Sequence, residues 1–267
     1  MATTLLSKEV QIENISFIDV PSKEGSAMKN VRVKYQHDSE SDPDRFIIQS
    51  ARMRSPFGIT NNQKWIKGDE KVKWDIMLSF QGEERNKKIR RFREAVESID
   101  DRILQEGTIN AEEWIGDDEP DEKSMRKAYK SALKKFKPKK DRPDDKYSDN
   151  FKISISWDHE KDQPRNNIEF YDENGAEVSW DSVTPGCEVV ALFEINGLWC
   201  STGLGTFGPS VKLVQLQVFK PKKVKGFQIK YEAENNDSEE EDAESIDEEN
   251  SVDAPEEPDD VVSDDEE

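Results

Sequence analysis

Residues 231–267 contain 20 Asp and Glu and not one Lys or Arg. The whole chain carries 59 acids against 39 bases. Setting the tail aside leaves 39 of each, so the remainder is electroneutral and the tail holds the entire imbalance. A stretch so acidic and so poor in large apolar side chains cannot offset the entropy of ordering its backbone, and it is expected to be disordered and self-repelling. The folding unit is therefore sought in residues 1–230, read as one domain, with 231–267 as a disordered acidic tail. Two readings of the tail stand side by side: a solubiliser, or a polyanion that meets a cationic surface.

The supply of chemistry is thin. Cys187 and Cys200 are the only cysteines and His37 and His159 the only histidines, too few for a disulfide framework or a thiolate zinc centre. No G-x-S-x-G elbow supports a nucleophile. A non-enzymatic protein without cofactor or metal is expected. No run of 18 apolar residues occurs, so a soluble protein with no membrane contact is expected as well.

The first 80 residues read as strands. Val31, Val33 and Tyr35 alternate with Arg32, Lys34 and Gln36, and a second strand places Arg52 and Arg54 on one face. A Pro-Gly corner then presents Phe57, and a polar loop holds Trp65 between Lys64 and Lys67. In the next strand Val72, Trp74, Ile76, Leu78 and Phe80 face one way, and Lys71, Lys73, Asp75 and Met77 the other. From 84 to 106 the period becomes helical, with a stripe of Ile89, Phe92, Val96, Ile99 and Ile103 ended by Gly107. A second helix is expected over Lys123–Phe136, with Phe136 on its buried face. Its basic face carries Lys123, Arg126, Lys127, Lys130, Lys134 and Lys135, and Lys137, Lys139, Lys140 and Arg142 continue it. That cationic surface is large enough to attract a polyanion.

Alternation returns at Phe151, Ile153, Ile155 and Trp157, opposed by Lys152, and a turn is expected at Asn174-Gly175. From residue 186 to 219 a three-strand meander is expected, turning at Asn196-Gly197. Gly203-Leu204-Gly205-Thr206-Phe207-Gly208 matches G-x-G-x-x-G, but a strand follows where a dinucleotide site needs a helix. It reads as a sharply bent strand connection, either turn geometry alone or one that lets the backbone or Phe207 approach a ligand. The fold class is mainly β with inserted helices: an antiparallel five-stranded barrel of the oligonucleotide-binding type, with a helical insertion at about 84–140.

Basic residues interleaved with aromatics suit a single nucleic-acid strand, whose phosphates need cations and whose bases stack on rings. The candidate contacts are Arg32, Lys34, Arg52, Arg54, Phe57, Lys64, Trp65, Lys67, Lys73, Lys152 and Phe207. The succession P-F-G, K-V-K-W-D-I-M-L-S-F, an inserted helix, F-K-I-S-I, G-C-E-V-V-A-L-F-E-I-N-G-L-W-C, G-x-x-x-K-L-x-Q-L-Q-V and an acidic tail resembles the single-stranded DNA-binding proteins of large nucleocytoplasmic DNA viruses. It is similar in layout to the T7-type phage protein. The resemblance spans about residues 28–267. It implies a barrel that coats single-stranded DNA in viral replication, recombination and repair, located in a cytoplasmic replication factory or the host nucleus. It also implies a tail that competes for the DNA groove and contacts a polymerase, helicase or primase. In place of the aromatic that phage relatives carry at the end, this tail closes on Asp264-Asp265-Glu266-Glu267. A homodimer is compatible with the sequence. A histone-chaperone-like protein, whose tail binds basic proteins, is the alternative from a different class.

Overall fold

The structure is a computed structural model that describes residues 3–21, 25–38, 40, 42–65, 71–138 and 147–220. The chain divides into a unit Met1–Lys223 and a unit Val224–Glu267. The second unit, with the expected boundary at 230 and the acidic tail, lies outside the described residues.

Among the described residues, fourteen strands and three α-helices follow one another. They are β1 (Thr4–Leu6), β2 (Ile15–Val20), β3 (Met28–Tyr35), β4 (Ile47–Gln49), β5 (Met53–Arg54), β6 (Ile59–Asn61), β7 (Trp74–Ser79), α1 (Lys87–Ile109), α2 (Ala111–Ile115), α3 (Glu122–Ala128), β8 (Leu133–Lys134), β9 (Asn150–Ile155), β10 (Trp157–Asp158), β11 (Gln163–Pro164), β12 (Glu169–Tyr171), β13 (Glu188–Ser201) and β14 (Thr206–Phe219). The protein is thus mainly β, with its helices inserted between β7 and β9.

Five strands close a ring. Strand β5 pairs with β7 through Arg54 and Ser79, and β7 lies antiparallel to β9 from Trp74↔Ile155 to Ser79↔Asn150. Strand β9 meets β14 in parallel at Ser154↔Lys212, β14 pairs with β13, and β13 returns to β5. The sheet is mixed, where an antiparallel one was expected: β1–β4 and β12–β14 are parallel too. Outside the ring, β3 lies along the far half of β13, and β2 lies on β3.

The alternating apolar side chains of β7 and β9 fill the ring: Ile76, Leu78, Ile153 and Ile155 are all buried. Helix α1 covers one end. Asn86 caps it by accepting from the Lys88 and Ile89 amides, satisfying two of the N–H groups a helix start leaves free. Its buried stripe is the expected one, and Phe92 packs 5.5 Å from Phe151, 5.9 Å from Phe80 and 6.0 Å from Phe193. The helix runs past Gly107 to Ile109. A Cβ at Gly107 would lie 2.4 Å from the Phe207 ring, so the glycine admits that ring and does not stop the helix. At the opposite end of β7 and β9, Trp74 and Trp157 stack at 3.8 Å with Trp180 edge-on to both.

The expected meander is one long hairpin. Strand β13 passes through Asn196-Gly197 with a register shift and turns at residues 202–205. A two-residue turn needs the strands to part at Gly197. Here β3 lies against β13 so closely that a Cβ on Gly197 would sit 2.5 Å from the Val31 carbonyl oxygen. The turn at Gly175 forms as expected, with φ of 81° and with the Asp172 carboxylate accepting from the Asn174 and Ala176 amides. Cys187 and Cys200 are buried free thiols, and burial pushes Cys200 up to about 12.

Candidate nucleic-acid interface

The helical period predicted through Phe136 breaks at Ala128. Tyr129 turns to ψ of 131°, bridges to Phe207, and is followed by a hydrogen bond from the Lys130 amide to the Phe207 carbonyl at 2.8 Å. A half-buried carboxylate fixes the departure: the Tyr129 hydroxyl donates to Asp100 at 2.5 Å, and the Ser131 hydroxyl donates to its other oxygen. The segment then lies on β9 as β8, pairing Leu133 with Phe151 and Lys134 with Asn150. A second carboxylate ends it. Asp149 accepts from the Phe136 amide at 2.8 Å and from Arg93 at 2.6 Å, and Arg93 also binds Glu83 and Glu97.

What this segment presents outward is cationic. Lys130, Lys134, Lys135 and Lys137 are exposed, and among the described residues none of them has an ion-pair partner. They line a cleft of about 690 Å³ together with Tyr129, Arg126 and the carboxylates of Glu97, Asp100 and Asp101. Burial lowers the pKa of Lys134 and the charge of Lys152 lowers it further; Asp100 opposes this in part, and Lys130 adds to the lowering. The ammonium groups outweigh the relief that nearby Asp100 gives Lys134, and a site of this kind gains from an incoming anion.

The row of lysines abuts the outward face of β7 and β9, formed by Met77, Lys152 and exposed Ser154, with exposed Lys212 beside Ser154. Lys152 is 2.7 Å from Asp75, a buried carboxylate that also accepts from Thr60 at 3.3 Å. At the far end of the same strands stand the three tryptophans and exposed Lys71 and Lys73.

The eleven residues singled out from sequence do not form one patch. Phe57, Lys64 and Lys73 lie exposed in the connection between β5 and β7, and Lys152 lies on β9, so these four serve neighbouring parts of the ring. The Trp65 side chain and Lys67 lie outside the described part of the structure. Arg32 and Lys34 are on β3, outside the ring. Arg52 is paired with Glu188 at 2.6 Å and lies 3.8 Å over the Phe219 ring, and Arg54 reaches Gln81 at 3.4 Å. Phe207 must be corrected: it is 0% exposed, enclosed by Trp114, Tyr129 and Gly107, and has no face left for a base.

The pattern of a family of unknown function, DUF5871, matches residues 75–233, more than half the chain. The chain belongs to that family. The DUF5871 match takes in β7, β9, β13, β14 and all three helices, and so includes the lysine row and Lys152. Arg32, Lys34, Arg52, Arg54, Phe57, Lys64, Trp65, Lys67 and Lys73 precede it. No curated protein matches the sequence.

Among solved structures, the single-stranded DNA-binding protein of bacteriophage Enc34 in complex with single-stranded DNA is 12% identical, with a TM-score of 0.40 over 79% of this chain and 98% of that one. Gp2.5, a single-stranded DNA-binding protein of bacteriophage T7, is 13% identical, with a TM-score of 0.38 over 70% of this chain and 98% of that one. At this distance the likeness fixes neither fold nor function, and both rest on the chain's own residues.

The functional candidates that the sequence reading passed over are Phe136 and Tyr147. Phe136 was assigned to the buried face of a helix that ends eight residues before it. The signal was nonetheless there, in a lysine-rich run K-K-F-K-P-K-K around Phe136, followed by D-R-P-D-D-K before Tyr147. Among the described residues no helix is long and apolar enough to cross a membrane, and no group of three His, Cys, Asp or Glu is placed to hold a metal.

Proposed function

We propose that the protein binds single-stranded DNA largely without reading sequence, as a non-enzymatic coat in viral replication, recombination or repair. The carrying observation is the lysine row, without ion-pair partners among the described residues, lying against the outward face of β7 and β9. Taken in chain order, β5, β7, β9, β13 and β14 are strands one to five of the ring. In barrels of the oligonucleotide-binding type the ligand lies on the strand two and three face and the loops beside it. On this reading the ring is such a barrel, Lys130, Lys134, Lys135 and Lys137 hold phosphates, and Lys64 and Lys73 extend the contact along the loop between β5 and β7.

Residues 231–267, with their 20 acids, compete for the same cations and offer a contact to a polymerase, helicase or primase. The setting that goes with this reading is that of a large nucleocytoplasmic DNA virus, in a cytoplasmic replication factory or the host nucleus.

The test is a titration of the full-length protein, followed by intrinsic tryptophan fluorescence, with oligo-dT, duplex DNA and a core histone at several salt concentrations. Oligo-dT is expected to bind more tightly than duplex and to weaken steeply as salt rises. A protein that binds the histone and ignores oligo-dT at low salt would instead be an acidic chaperone.

A further inference from the structure

We infer that Phe136 and Tyr147 form a stacking clamp for an unpaired base, and that this clamp makes the lysine row selective for single strands. The inference rests on the single-strand reading above and names the part of the site that lysines alone cannot supply. A row of ammonium groups attracts any polyanion, duplex DNA included, because phosphates look alike in both. Telling a single strand from a duplex requires contact with a base face, which a duplex hides in its stack and a single strand offers.

Tyr147 is 65% exposed, and it and Phe57 are the exposed large aromatic side chains among the described residues. Its ring meets half-buried Phe136 edge to face, with centroids 5.1 Å apart and planes at 68°. The contact steadies the Tyr147 ring while most of its surface stays open. The partner ring is itself held, since the Phe136 amide is bound to Asp149, which Arg93 grips in turn. Lys135 and Lys137 flank Phe136 in the chain and are both exposed. An aromatic face is thus set between two cations, which is what a nucleotide with a stackable base and a charged phosphate requires. Among the described residues the Tyr147 hydroxyl has no hydrogen-bond partner, so no bond inside the fold accounts for its position.

The experiment uses the full-length protein and fluorescence anisotropy of labelled oligo-dT, of the same backbone with abasic sites, and of duplex DNA. Tyr147→Ala is expected to weaken oligo-dT about 5- to 100-fold, in the range of one lost base stack. It should leave duplex affinity, abasic-strand affinity and the salt slope as in the wild type. Tyr147→Phe keeps the ring face and should bind oligo-dT as the wild type does. An unchanged melting temperature is expected for both, because the side chain is mostly exposed. Wild-type affinity of Tyr147→Ala for oligo-dT, or an equal loss on duplex and abasic strands, would overturn the clamp while leaving the single-strand reading in place. A wild-type protein that binds none of the three would overturn that reading and the clamp with it.

Discussion

Glycines 107 and 197 carry sequence signals that ordinarily mean an ending, a helix stop and a hairpin turn. In both places the chain continues, because something packs where a Cβ would stand. The two obstacles differ. At Gly197 a Cβ would meet the Val31 carbonyl oxygen at 2.5 Å, a backbone atom held in a strand pair, whereas at Gly107 it would meet the Phe207 ring at 2.4 Å. Overpacking of this kind costs about 1–3 kcal/mol. In a helix, replacing Gly by Ala returns roughly 1 kcal/mol of propensity. Gly197→Ala is therefore expected to lower the urea midpoint clearly and Gly107→Ala less so. Equal shifts would mean that the Phe207 ring is as immovable as the β3 backbone. None of this was legible in the sequence, where a glycine looks the same whether it turns the chain or makes room for a distant ring.

The elements that alternation or helical period specify strongly were legible: β7, β9, β14 and the stripe of α1 run where their patterns put them. The element that departed from its pattern is the one that builds the site. Helical spacing continues through Leu133 and Phe136, but helix formation past Ala128 would forgo the Tyr129–Asp100 bond and the pairing of β8 with β9. Long-range partners outweigh a propensity worth at most a few tenths of a kcal/mol per residue. Asp100 is the hub of that choice. Burial raises its pKa above the usual 3.8, only partly opposed by the hydroxyls of Ser131 and Tyr129.

A carboxyl whose folded pKa is raised contributes stability below its unfolded value and loses that contribution as pH climbs through the folded one. Asp100→Asn keeps one accepting oxygen, puts an amide donor in place of the other, and never ionises. Relative to the wild type, the variant is expected to gain stability as the pH of chemical denaturation rises from about 3.8 to neutrality. A difference that stays flat over that window would show that the carboxylate is as well solvated in the fold as outside it.

At the scale of the molecule, the sequence shows charge separation without showing its geometry. The first 230 residues balance to zero, so composition alone gives no hint of a basic surface. The surface arises because several acids near the lysine row are engaged by other groups: Asp149 and Glu97 by Arg93, Asp75 by Lys152, and Asp100 by the hydroxyls of Tyr129 and Ser131. What was read as one face of a helix is a lobe whose strand β8 lies on β9.

The central claim is that this lobe holds phosphates. It is tested most directly by the slope of log affinity for oligo-dT against log salt, measured for the wild type and for Lys134→Ala/Lys135→Ala/Lys137→Ala. Each phosphate contact on a single strand contributes about 0.7 to the slope. Loss of three is therefore expected to flatten it by roughly 2, with the low-salt affinity falling and the melting temperature kept. An unchanged slope would place the DNA elsewhere on the protein and contradict the account.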